Sequence, residues 1–212
     1  METVRTYRQH CGIARALDLV GERWAMLVIR DLILGPKRFT DLRESLPGIA
    51  TNVLTQRLKQ LERDGVVRRR PLPPPAASTV YELTDYGREL EPVLLALGRW
   101  GAKTIGETAP DRPVHAEWFG VALKAYFRPD KAEDVHATIA MRFDDGGLTV
   151  RLDEGDISVT TLPADEADLT LTASDPRIVA GYLAGAAPAK ALSPEGDVAL
   201  LERLPTIFPL RT

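Results

Sequence analysis

Apolar residues recur along this chain with two periods, and the change of period divides it into two regions. Residues 13–34 are apolar almost throughout, interrupted by Gly21-Glu22-Arg23, which predicts two helices. The second, 24–34, is apolar on nearly every side, so it must be covered from more than one direction; Gly35-Pro36 ends it. Residues 38–46 predict a short helix, Pro47-Gly48-Ile49 a tight turn, and residues 50–65 a longer helix. In the longer helix Leu54, Leu58 and Leu61 fall at i, i+4 and i+7, an apolar stripe for the core. Thr51, Asn52, Thr55, Gln56 and Lys59 stand on its other face. Thr51 is the expected N-cap, which would turn the positive end of the helix dipole toward a phosphate.

Two short runs rich in β-branched and aromatic residues, 66–70 and 80–84, flank a proline-rich tip at 71–79 and predict a hairpin. Its base carries Arg68-Arg69-Arg70, which cannot all point the same way in a strand, so at least one faces outward. Helix, turn, second helix and basic hairpin make the pattern of a winged helix-turn-helix, whose second helix is held at an angle that enters a DNA major groove. On that reading Arg38, Thr40, Thr51, Asn52, Thr55, Gln56, Arg57 and Lys59 from the helices meet base edges and phosphates. Arg68, Arg69, Arg70, Ser78 and Thr79 do so from the wing.

Thr84-Asp85-Tyr86-Gly87 starts a further helix, but Pro92 cannot donate to the Arg88 carbonyl, so a kink or restart is expected there. Beyond it Leu90, Val93, Leu97, Trp100 and Thr104 step by 3, 4, 3 and 4, a seam suited to another helix. With so small a winged domain to cover it, that seam is expected to meet a second subunit, and twofold symmetry then predicts a palindromic site. Residues 106–114 are rich in turn residues, which divides the chain into a domain at 1–105, a linker at 106–113 and a second domain at 114–212. The second domain opens with an amphipathic helix over 116–127. Four strands follow at 137–143, 148–152, 157–162 and 167–172, read as an antiparallel meander. Asp175-Pro176 starts a helix that Gly185 ends, and Asp197 starts a last helix carrying Leu200, Leu204, Ile207 and Phe208. The class is α+β, an antiparallel sheet covered by helices following a winged domain.

Charge supports the division. Residues 1–105 carry 17 Lys+Arg against 12 Asp+Glu, a net of +5; the remainder carries 10 against 18, a net of −8, which together give the chain's −3. The basic part suits a polyanion, and the acidic part should sit away from it. No run reaches the roughly 18 apolar residues of a membrane span, and Met1-Glu2-Thr3-Val4-Arg5 lacks the apolar core of a signal peptide, so a cytoplasmic protein is expected. One cysteine allows no intrachain disulfide, and His10, His115 and His136 offer no metal-ligand spacing. With no paired carboxylate motif, nucleophile elbow or phosphate loop, neither an enzyme nor a cofactor is expected.

Residues 10–101 resemble the HxlR family of bacterial winged-helix transcription regulators. The resemblance rests on Cys11-Gly12-Ile13-Ala14-Arg15-Ala16-Leu17, Gly21-Glu22-Arg23-Trp24, Arg30-Asp31-Leu32, Gly35-Pro36-Lys37-Arg38-Phe39-Thr40-Asp41-Leu42, Leu46-Pro47-Gly48-Ile49, residues 54–62 and Tyr81-Glu82-Leu83-Thr84. It implies a homodimer joined through the N-terminal helices and the domain's last helix, with Leu17, Val20, Trp24, Val93, Leu97 and Trp100 at the contact. Gly12 departs from the pattern, since the family often has Pro there. Some members sense oxidants or electrophiles through a cysteine at the place of Cys11, which makes it a candidate redox sensor.

Residues 114–210 resemble the sterol carrier protein domain, through residues 167–172 followed by Asp175-Pro176, and through Leu192-Ser193-Pro194-Glu195-Gly196-Asp197 before the last helix. That resemblance implies an apolar tunnel under the sheet, with Trp118, Phe119, Leu123, Tyr182 and Phe208 as candidate lining residues. The expected function is a dimeric repressor responsive to a small apolar ligand. The alternative is a lipid or small-molecule carrier that uses the winged domain only to dimerise.

Overall fold

A computed structural model describes residues 6–74, 78–105 and 114–210. It separates into two compact units, Met1–Leu94 and Leu95–Thr212. The expected linker at 106–113 and the wing-tip residues 75–77 lie outside the described residues.

In the first unit the interrupted apolar run forms α1 (Gly12–Val20) and α2 (Ala25–Ile33). Helix α2 buries Ala25, Val28, Ile29, Leu32 and Ile33, the many-sided burial its composition demands. Next come β1 (Lys37–Arg38), α3 (Phe39–Ser45), α4 (Thr51–Arg63), β2 (Val67–Pro71) and β3 (Thr79–Leu83). The strands make an antiparallel sheet in the order β1-β3-β2, with Arg69 opposite Tyr81 and Lys37 also opposite Tyr81 from the other side. After β3, α5 (Asp85–Arg88) gives way to α6 (Glu91–Ala102), the restart that Pro92 requires; from Leu95 on, the residues of α6 belong to the second unit. The N-cap expectation is corrected. Ala50 holds the extended cap conformation and makes no side-chain cap, while Thr51 is already the first helical residue of α4.

Among the described residues of this unit two carboxylates are buried, Asp31 and Glu82. Asp31 accepts from Arg30 Nε at 2.8 Å and from Ser45 Oγ at 2.6 Å, which ties α2 to the end of α3. Burial pushes its carboxyl above the ordinary aspartate range, against the opposing pull of Arg30, Ser45 and Lys37. A native pKa above the unfolded one means that the native state holds the proton more tightly. The stability contribution of this group is therefore greatest below the unfolded pKa and falls as pH rises through the native one. Asp31→Asn removes that titration. In urea unfolding, wild type is expected to lose stability relative to the variant as pH rises through the range above about pH 4. A difference that stays constant across that range would contradict the assignment.

The second unit contains α7 (Ala116–Tyr126), β4 (His136–Phe143), β5 (Gly146–Asp153), β6 (Asp156–Thr160), β7 (Leu169–Thr172), α8 (Pro176–Leu183), β8 (Glu195–Gly196) and α9 (Val198–Ile207). Its sheet runs β6-β5-β4-β7-β8. The meander β4-β5-β6 is antiparallel as expected, but β7 lies parallel to β4, with Ile139 opposite Leu169, so the sheet is mixed. Because β6 runs in the same direction as β4, residues 161–168 must return along the sheet before β7 begins. Thr149 on β5 donates to the Leu162 carbonyl at 2.7 Å on that return.

Strand alternation puts Ile139, Met141, Leu148, Val150, Leu152, Val159, Leu169 and Leu171 on one buried face. Helix α7 packs on β5 and β6, and α9 on β7 and α8. Asp175 and Asp197 cap α8 and α9 by accepting from Arg177 and Leu200 backbone N–H, as the sequence predicts. Phe119, Leu123 and Phe208 are packed into this core, Phe119 edge-on to Phe143 at 6.2 Å and Phe208 against Phe127 at 5.7 Å. The Tyr182 hydroxyl donates to the Leu201 carbonyl at 2.8 Å, and Trp118 stands edge-on to His115 at 4.3 Å.

Candidate nucleic-acid interface

Helix α4 has two faces with different chemistry. Leu54, Leu58 and Leu61 are buried, while Thr51, Asn52, Gln56 and Lys59 are exposed. Thr55 is half-buried, and its hydroxyl donates back to the Thr51 carbonyl at 2.8 Å, which leaves the oxygen free to accept. At the start of α3, Arg38 and Thr40 are exposed, and the Asp41 carboxylate holds that turn by accepting from the Arg38 backbone N–H at 2.8 Å.

Arg57 stands apart from the other expected contacts. It is 6% exposed and is drawn inward to Gln60 and Glu22, so it does not share the outer face. The signal was available: Arg57 follows Leu54 by three residues and precedes Leu61 by four, which places it beside the apolar stripe.

In the wing the three arginines alternate as a strand requires. Arg68 and Arg70 donate to the two oxygens of Glu82 at 2.8 and 2.9 Å, and Arg69 on the other side lies over the Tyr81 ring at 5.7 Å. Burial raises the Glu82 pKa, but hydrogen bonds from Arg70 and Arg68 outweigh it and hold the carboxyl below its ordinary value. Glu82 offsets one of the two positive charges of Arg68 and Arg70, so those three groups carry a net single positive charge, and Arg69 adds its own on the other side. Thr79 is exposed opposite Pro71, and Ser78 is half-buried. Glu82 went unremarked in the sequence because its pairing depends on hairpin register.

Of the expected dimer residues, Leu17, Val93, Leu97 and Trp100 are exposed. Val20 is corrected: at 8% exposure it is part of the buried core of the first unit. Trp24 is half-buried, with the Arg23 guanidinium 5.4 Å from its ring centroid. Ile13, exposed on α1, was not singled out from the sequence.

Cys11 is the exposed N-cap residue of α1 and makes no side-chain capping bond. The backbone N–H groups of Ala14, and then of Ile13, favour its thiolate and lower its pKa from the ordinary thiol value. Among the described residues no cluster of His, Cys, Asp and Glu could hold a metal ion, and no helix is long and apolar enough to cross a membrane.

A helix-turn-helix with an exposed polar second helix and an arginine-bearing hairpin defines a winged-helix DNA-binding domain. The HxlR-like helix-turn-helix family model matches residues 19–109. The HTH-type transcriptional regulator YdeP of Bacillus subtilis is 40% identical over 93 residues, covering 44% of this chain and 73% of that protein. Its counterpart sll1512 of Synechocystis is 40% identical over 92 residues, covering 43% and 68%. Among solved structures, the redox regulator HypR in its reduced form is 34% identical, covering 44% of this chain and 93% of that one, with a TM-score of 0.42. The chain belongs to the HxlR-like helix-turn-helix family and is a DNA-binding transcriptional regulator. That membership favours DNA binding over the carrier alternative. The family match ends at residue 109, so nearly all of the second unit lies beyond it.

Proposed function

We propose that the protein is a dimeric repressor that reads a palindromic operator with α4 and follows the backbone with its wing. The observation that carries this reading is the exposed row Thr51, Asn52, Gln56 and Lys59 opposite the buried leucine stripe of α4. Asn52, Thr55 and Gln56 read base edges, because amide and hydroxyl groups match the donor and acceptor pattern of the major groove. Arg38, Lys59 and Arg69 hold phosphates and set the register. Half-sites then lie about one helical turn apart.

Operators selected from genomic fragments test this division of roles. Gln56→Ala is expected to change which operators are preferred. Arg69→Ala is expected to weaken all sequences alike and to reduce the salt slope by about one unit. The same uniform loss in both variants would end the division.

Two responses belong to the same proposal. The second unit, with one sheet face under helices, takes a small apolar ligand in the manner of the sterol carrier fold, and its occupancy changes operator affinity. Cys11 responds to oxidants, a reading supported by its exposure and lowered pKa. Cys11→Ser is expected to leave operator binding within about twofold while abolishing release by peroxide. Equal release of both proteins would remove Cys11 from the mechanism.

A further inference from the structure

Arg57 is a cation on the buried side of the helix proposed to read DNA. A guanidinium taken out of water is costly unless its charge is met, and two groups meet this one. Nη1 donates to Gln60 Oε1 at 2.5 Å within α4, and Nη2 reaches Glu22 Oε2 at 3.4 Å. Glu22 is held in place by the short turn between α1 and α2. A Cβ at Gly21 would lie 2.5 Å from the Leu17 carbonyl oxygen, so the turn closes there only with glycine. The Glu22 carbonyl accepts from Ala25 N–H at 3.0 Å, and Trp24 takes a left-handed φ of 77°, a conformation that bulky residues rarely adopt. Strained backbone of this kind persists where its surroundings over-determine it, and it gathers at functional places.

We infer that Glu22 and Arg57 form a latch that fixes the setting of α4 against the α1–α2 pair, making both of them positioning residues for base recognition. The inference rests on the reading of α4 as the recognition helix. Base edges are read through short, directional hydrogen bonds, whereas phosphates are met by long side chains that tolerate displacement. Loosening the latch therefore degrades discrimination between sequences before it degrades affinity. The pair also gives α1, which bears Cys11 at its N-cap and the exposed Ile13 and Leu17, a direct connection to α4.

The test uses the full chain, a selected operator and a panel of its single-base variants at several salt concentrations. Glu22→Gln removes the charge from a half-exposed turn residue. It is expected to reduce discrimination against single-base variants from about tenfold to about threefold. The salt slope should stay within about 0.3 unit of wild type. Arg57→Gln is expected to do the same, and the double variant to lose no more than either single, because the pair acts as a unit. Should Arg57→Gln fail to fold, Glu22→Gln still decides.

A drop of about one unit in slope for Arg57→Gln would make Arg57 a phosphate contact and overturn the inference. So would a Glu22→Gln protein that keeps full discrimination, or one that weakens every sequence equally in step with a lower Tm. Gln56→Ala separates the latch from the reading beneath it. If Gln56→Ala alone changes base preference, only the latch fails; if neither it nor Glu22→Gln does, α4 is not the reader and both fall.

Discussion

If the proposed dimer forms through α6, Leu97→Glu is expected to leave a monomer at micromolar concentration and to weaken operator binding by about a thousandfold or more. Val93, Leu97 and Trp100 follow one another along one face of α6 and are 56%, 48% and 70% exposed, more apolar surface than a lone helix face needs to show. A carboxylate placed in the middle of such a contact would be buried without a partner, at a cost of several kcal/mol. Twofold symmetry places that residue at the contact twice, so a total of about 4 kcal/mol, or about a thousandfold in dimer dissociation, is a conservative figure.

Gly98 and Gly101 point the same way. A glycine inside a helix weakens it by about 1 kcal/mol relative to alanine, yet a Cβ at either position would meet nothing within 4 Å among the described residues. Close approach of a second α6 would give both a reason. Sedimentation velocity of wild type and Leu97→Glu across the micromolar range decides the matter. A wild-type monomer, or a variant that stays dimeric, would sink the proposed interface.

What was legible beforehand follows from which interactions are local. Helices α1, α2 and α4 each had to place an apolar stripe inward, and that periodicity is written in consecutive residues. The caps Asp175 and Asp197 were readable for the same reason, since an aspartate side chain reaches only the N–H groups two or three residues ahead. Strand β1 was not. Two residues carry no period, and Lys37 and Arg38 become a strand only because Tyr81 and Val80 are there to pair with them.

The parallel placement of β7 escaped notice because alternation records which face a residue takes and says nothing about strand direction. The candidate site divides along the same line. The outer face of α4 was visible in its spacing, but the partners of Arg57, Arg68 and Arg70 are Glu22 and Glu82, separated in sequence and joined only by tertiary packing and hairpin register. Val20 was assigned outward because a family resemblance identifies a helix at an interface without saying which of its sides the subunit keeps for itself.

The largest expected loss of stability comes from Gly87→Ala, at the junction of the wing and α5. A Cβ on residue 87 would lie 2.1 Å from the Val66 carbonyl oxygen, and both are backbone, so no side-chain rotation relieves the overlap. The junction is tightly tied. Thr84 Oγ1 accepts from Gly87 N–H at 3.0 Å and donates to the Gly65 carbonyl at 2.6 Å, while Thr84 N–H donates to the Val66 carbonyl at 3.1 Å. Moving α5 away would break the Thr84 cap and the end of the β2–β3 ladder, where Val67 faces Leu83. Overpacking against backbone at a buried position is expected to destabilise the first unit by about 3 kcal/mol or more. That corresponds to a Tm lower by roughly 15 °C for a unit of this size. Gly12→Ala provides the contrast. A Cβ there meets nothing within 4 Å, and the change is expected to shift stability by less than about 1 kcal/mol, toward greater stability. Calorimetry of the three proteins is the measurement, with operator binding followed in parallel because a displaced α5 loosens the base of the wing and moves Arg69. A Gly87→Ala protein that melts within a few degrees of wild type would mean that the wing and α5 accommodate each other by a shift this packing does not allow.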